Sequence, residues 1–146
     1  MKKEIKDQLG KNLDVKNVFD NQGELIAQIY NIKEMNSSCF PTPEHFTFQF
    51  GYGQVSDEKE LRPHIHKKLS RELTNTAEFI FVIDGSMFIN VFDEGANEIA
   101  SVTLKSDMCL LQHKGGHKIS IAKNTRYFEI KQGPYFGNDR DKYFLD

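Results

Sequence analysis

Residues 78–92 read EFIFVIDGSMFINVF. Asp84-Gly85 is among the strongest short-range turn signals a sequence offers. After it, Met87, Ile89 and Val91 alternate with Phe88 and Asn90, the two-residue period of a half-buried strand. The apolar run from Phe79 to Ile83 supplies the strand before the turn, so the stretch predicts a β-hairpin. A single hairpin cannot bury its own apolar face and needs further strands around it.

The flanking sequence supplies them. Beyond the turn Asp93-Glu94-Gly95-Ala96-Asn97 come apolar runs over Ile99 to Leu104, Met108 to Leu111, Ile119 to Ala122 and Arg126 to Lys131. Ser106-Asp107 and Lys114-Gly115-Gly116 punctuate them as turns. On the N-terminal side, Gly23 to Ile32 reads as a strand after the turn Asp20 to Gly23. Ser37 to Glu44, with Pro41 and Pro43, reads as a loop. His45 to Tyr52 alternates Phe46, Phe48 and Phe50 with Thr47 and Gln49, which predicts one more strand. No segment from residue 62 onward has a helical period. Short strands in close succession point to an all-β sandwich or barrel.

The 146 residues suit one domain with a core of its own. We expect a barrel domain over residues 21–146 and an N-terminal extension over 1–20, in which residues 1–12 form a frayed helix or a loose arm. Twelve Phe and five Tyr against no Trp suit a β-rich core. Nineteen basic and 21 acidic side chains nearly cancel, so no cationic surface favours a nucleic acid. The sequence shows no apolar run of signal-peptide or membrane-spanning length, and a cytoplasmic location is expected. Two cysteines are no disulfide framework, and Cys109, inside Met108-Cys109-Leu110-Leu111, reads as a small buried hydrophobe. Cys39 carries no signal.

His64-Ile65-His66 carries the chemistry. Residues two apart on a strand share a face, so a His-x-His pair can grip one ion from a rigid element; the bland reading is two surface histidines. In the last strand, Tyr127, Glu129 and Lys131 share a face and Phe128 and Ile130 the other, so the polar trio either lines a cavity or faces solvent. His113, beside the Gly115-Gly116 turn, reads as a polar rim residue, and His45 as unrelated to any site.

His64, His66, Glu78 and Gly85, followed by Ser106, Asp107, Gln112, Lys114 and His117, resemble the two signature motifs of the cupin superfamily. In this sequence eleven residues separate His66 from Glu78, a longer spacer than the family's. Glu72 is closer but lacks a glycine six residues on. Ser106 replaces a glycine, Gln112 replaces a proline, and Gly115 comes one place late, while His117 keeps its distance from Asp107. Over residues 62–146 the chain is similar to the WbuC-type cupin metalloproteins associated with polysaccharide and O-antigen biosynthesis. Phe128 to Tyr135, Asp141-Lys142, Arg62-Pro63-His64 and Phe92-Asp93-Glu94-Gly95 carry that likeness.

The resemblance implies a cupin double-stranded β-helix, or jelly-roll-like barrel, with His64, His66, Glu78 and His117 as metal ligands. Such a donor set suits zinc, iron, nickel, manganese or copper better than calcium or magnesium. It implies a metal-binding cupin acting on a sugar or sugar nucleotide in polysaccharide biosynthesis, with isomerase- or epimerase-like chemistry and with Glu129, Lys131 or Tyr127 moving a proton. Three alternatives stand beside it. One is a metal-free sugar-nucleotide isomerase or epimerase with histidine as acid and base. Another is a non-catalytic module holding a small ligand, and a dioxygenase is the last. A homodimer is expected, with the strand from Leu25 to Tyr30 exchanged with a partner or added to its sheet.

Overall fold

In a computed structural model, residues 15–146 are described. The expectation for residues 1–12 lies outside them. Eight strands form two antiparallel sheets: β1 (Val15–Phe19), β2 (Leu25–Asn31), β3 (Glu78–Asp84), β4 (Ser86–Phe92), β5 (Glu98–Lys105), β6 (Met108–Gln112), β7 (Gly116–Ile121) and β8 (Arg126–Lys131). One sheet runs in the order β1-β2-β6-β3-β8 and the other β5-β4-β7. The chain is all-β, in the two-sheet arrangement of sandwiches and jelly rolls. A 3₁₀ turn (Ile32–Glu34) and a four-residue helix, α1 (Asn138–Asp141), complete the regular structure; α1 is a helix the sequence pattern did not predict.

Residues 78–92 form the two expected strands, but the expected hairpin is corrected. β3 pairs with β6 and β8, whereas β4 pairs with β5 and β7, so the chain crosses from one sheet to the other at Gly85. The cause is local. Ser86 exchanges hydrogen bonds with the Thr125 side chain, its N–H donating at 3.2 Å and its carbonyl accepting at 3.1 Å. Asp84 pairs with Arg126. Both ends of the turn are therefore held by the 125–126 segment, and Gly85 takes the φ of +89° that the corner needs.

Between the sheets, alternate residues interdigitate. Ile29, Ile80, Val82 and Leu110 face Met87, Ile89, Val91 and Leu104, all buried. The opposite face of the larger sheet carries a second apolar layer of Tyr30, Phe79, Phe81, Cys109 and Leu111. Residues 35–52 cover that layer: Phe50 stacks on Tyr30 at 4.7 Å between ring centroids and lies 5.6 Å from Phe79. Cys109 is buried as expected, and Cys39 is buried with it.

Three further expectations are corrected. His45 to Tyr52 is a loop whose only ladder contact among the described residues is the bridge Cys39–Tyr52. Side chains take the place of strand pairing there. Thr42 Oγ1 accepts the Phe50 N–H at 3.0 Å, and Gln49 Nε2 donates to the carbonyls of Pro43 and Phe46. The strand Leu25 to Tyr30 lies between β1 and β6 with both edges paired, so it is not free to be added to a partner's sheet. The sheet also starts earlier than residue 21, since β1 falls inside the segment read as an extension.

Candidate functional site

Strand register places the site at one end of the inter-sheet space. Glu78 sits opposite Gln112 on β6 and Lys131 on β8, and Ile80 opposite Glu129. Residues directly opposite in a sheet share a face. Glu78, Gln112, Glu129 and Lys131 therefore lie on the inner face that also carries Ile80 and Val82. Tyr127, opposite Val82, joins them. From the other sheet, His117 lies opposite the buried Val91, which turns it inward as well.

Two of these side chains meet directly. His117 Nε2 stands 3.4 Å from Glu78 Oε2, both largely buried. On its other nitrogen, His117 donates the Nδ1–H to Gln112 Oε1 at 2.9 Å. Gln112 is fixed in turn, its Nε2 donating to the carbonyls of Lys114 at 3.0 Å and Gly116 at 2.9 Å. A neutral imidazole that donates from Nδ1 presents a lone pair at Nε2. Burial holds the His117 ring below the usual histidine range, which favours this neutral form.

Glu129 on β8 also bears on the Glu78 carboxyl. Burial first, then the neighbouring Glu129, push the Glu78 carboxyl up to about 7, against the opposing pull of Lys131 and Lys142. The carboxyls of Glu78 and Glu129 and the His117 imidazole thus lie together at one end of the inter-sheet space. Lys131 lies over the Tyr135 ring at 5.3 Å, tying the end of β8 to the C-terminal segment.

His64 and His66 are elsewhere. Residues 53–77 form neither strand nor helix, and every residue from 53 to 74 is exposed. The two rings neighbour each other, with centroids 5.1 Å apart, and His64 donates its Nδ1–H to the Arg62 carbonyl at 2.9 Å. The expected strand under the His-x-His pair is therefore corrected: within one chain this segment has no sheet neighbour. Among the described residues no three His, Cys, Asp or Glu side chains group closely enough to hold an ion. No helix among them is long and apolar enough to cross a membrane.

His113 is no rim residue. It is buried on the outer side of the larger sheet, bonded through Nε2 to Gln28 Oε1 at 3.1 Å and packed edge-on against Phe46. A pocket of about 260 Å³ beside it is lined by His45, Phe46, Thr74, His113 and Lys114. The residue that sequence reasoning missed is Gln112, which reads as a departure from a motif and serves as the acceptor that orients His117. Its signal was parity: it continues the inner face of β6 two residues after Leu110.

No protein-family model, curated protein or solved structure matches the chain.

Proposed function

We propose that the chain is a metal-binding cupin whose barrel mouth performs isomerase- or epimerase-like proton transfer on a small sugar derivative. The observation that carries the metal part is the 3.4 Å between His117 Nε2 and Glu78 Oε2. Two donors bound at about 2.0–2.1 Å to one tetrahedral zinc-sized ion stand roughly 3.3–3.4 Å apart. Gln112 supports this reading too, because a ligating histidine ordinarily donates its second N–H to a fixed acceptor.

His117 and Glu78 would hold the ion from the barrel, with His64 and His66 as its remaining ligands. Bound there, a divalent transition ion polarises a substrate carbonyl or hydroxyl. The chain's own residues do the rest. Glu129, on the same inner face as Glu78, moves a proton to or from the substrate. Lys131 and Tyr127 flank it on β8 and orient substrate oxygens. The sugar class is carried by the resemblance of the C-terminal segment.

The neighbouring carboxyls of Glu78 and Glu129 favour a second reading, in which they and His117 act as acid and base without a metal. One preparation separates the two. Protein purified without an affinity tag should hold close to one transition metal per chain; less than about a tenth, not restored by added ions, sinks the metal reading. A panel of keto-sugar nucleotides in deuterated water then reports proton transfer. Solvent deuterium incorporation that survives chelation and dialysis selects the metal-free site.

A further inference from the structure

The barrel is open along one side. β5 touches β1, β3 and β6, and the opposite edge of its sheet, β7, carries His117, which meets Glu78 on β3. β7 and β8 are both sheet-edge strands, each paired on one side only. Apolar side chains that belong inside are left in water there: Ile121 is 49% exposed and Tyr127 41%. Such an edge offers a row of unpaired N–H and C=O groups to an incoming strand.

The chain also carries an exposed segment outside both sheets whose sequence alternates as a strand's would. Over residues 61–69 the sequence parity of a strand would put Leu61, Ile65 and Leu69 on one side and His64 and His66 on the other. Ile65 is 92% exposed, and Leu61 and Leu69 are exposed beside it. Nine residues of extended chain span about 30 Å, enough to run the full length of the six-residue β7.

We propose that residues 61–69 of a second copy of this chain add as a strand to the free edge of β7, each copy lending its segment to the other. The polar side decides the orientation. His64 and His66 turn inward toward the polar cluster of His117, Glu78 and Glu129, and Leu61, Ile65 and Leu69 turn outward. On that outer side β4 already presents Phe88, which is 45% exposed. A chain that folded its own segment onto its own edge would leave this apolar row and Phe88 in water. In the exchanged pair, the two copies' rows pack on each other around a two-fold axis. Burying three large aliphatic side chains per copy favours the exchanged pair. The delivery of His64 and His66 as ligands rests on the metal reading above. The strand addition does not, so strand exchange in protein that binds no metal would sink that reading alone.

The test uses the full chain. Light scattering at 100 µM should give about 34 kDa, twice the 16.9 kDa chain. Mixing ¹⁴N- and ¹⁵N-labelled chains and linking lysines should join Lys67 or Lys68 of one label to Lys118, on β7, of the other. Trypsin cleavage after Lys67 and Lys68 should be at least about tenfold slower in the wild type than in an Ile65→Asp/Leu69→Asp variant, which should run as a folded monomer. Both substituted positions are exposed in the single chain, so loss of folding does not confuse the result. A monomeric wild type overturns the proposal, whether its segment is protected or cleaved. A dimer linked only within like-labelled chains, or one that survives the double substitution, overturns it equally.

Discussion

Gln112 Oε1 accepts the Nδ1–H of His117 at 2.9 Å, across the gap between the two sheets. Gln112 is 2% exposed and its amide also donates to two carbonyls of the 114–116 turn, so one side chain fixes both the ring and the loop that delivers it. Replacing it with leucine keeps the bulk and removes all three bonds. We expect a stability loss of about 1–3 kcal/mol from the stranded carbonyls. Affinity for added zinc should fall roughly 10- to 100-fold, the usual cost of removing an outer partner of a ligating histidine. Chelator competition reads the second effect, and denaturant titration the first. Unchanged zinc affinity would separate Gln112 from metal binding.

His113 makes stability depend on pH. Burial lowers its ring from the usual 6.5 to about 4 in the folded chain, and Gln28, Phe46 and Lys114 surround it. Below pH 6.5 the unfolded chain takes up a proton that the folded chain refuses until about pH 4, so stability rises with pH across this window. The contribution is complete above pH 6.5 and lost as pH falls toward 4. Its ceiling is roughly 3 kcal/mol, since each tenfold weakening of proton binding is worth about 1.36 kcal/mol. Urea midpoints for the wild type and His113→Phe, measured from about pH 7.5 to 4.5, should diverge in slope, with the variant flatter.

The positions of strands were legible because apolar alternation and turn residues act locally. Partner choice was not. Asp84-Gly85 announces a reversal, yet the bonds of Ser86 to Thr125 turn it into a corner between sheets, and those residues are 39 apart. The alternating phenylalanines before Tyr52 mimic a strand because they must cover Tyr30 and Phe79; the ladder they suggest is replaced by the side-chain bonds of Thr42 and Gln49. Motif spacing singled out Glu78 and His117, and the two side chains lie 3.4 Å apart. Gln112 was not legible, since its role appears only once β6 and β7 lie in different sheets.

Tyr30 offers a test of the outer layer. Its side chain is fully buried, and its hydroxyl has no hydrogen-bond partner among the described residues. Burial beside Cys109 and Cys39 pushes the phenol far above its usual range, so it stays neutral. A buried polar atom without a partner costs about 1–3 kcal/mol, and the ring's packing on Phe50 does not need the oxygen. Tyr30→Phe should therefore be neutral or stabilising by about 1 kcal/mol, read as a higher melting temperature. A clear loss of stability would show that the hydroxyl is bonded in solution.

Adjacent glycines before His117 should respond in opposite ways. Gly115 has φ +76°, and a Cβ there would stand 2.2 Å from the Phe92 carbonyl oxygen, a backbone atom with nowhere to move. Gly116 lacks positive φ and has open space where a Cβ would go. Alanine at 115 meets both a left-handed cost of about 1–2 kcal/mol and the clash with Phe92. We expect a loss of at least about 2 kcal/mol, within the range of strained backbone substitutions. Because Gln112 bonds to carbonyls on either side of Gly115, that loss should come with weaker zinc binding. Alanine at 116 should lie within about 0.5 kcal/mol of the wild type or be slightly stabilising, through a less free unfolded chain. If both variants behaved alike, the tight 92–115 contact would not be what sets the approach of His117 to Glu78.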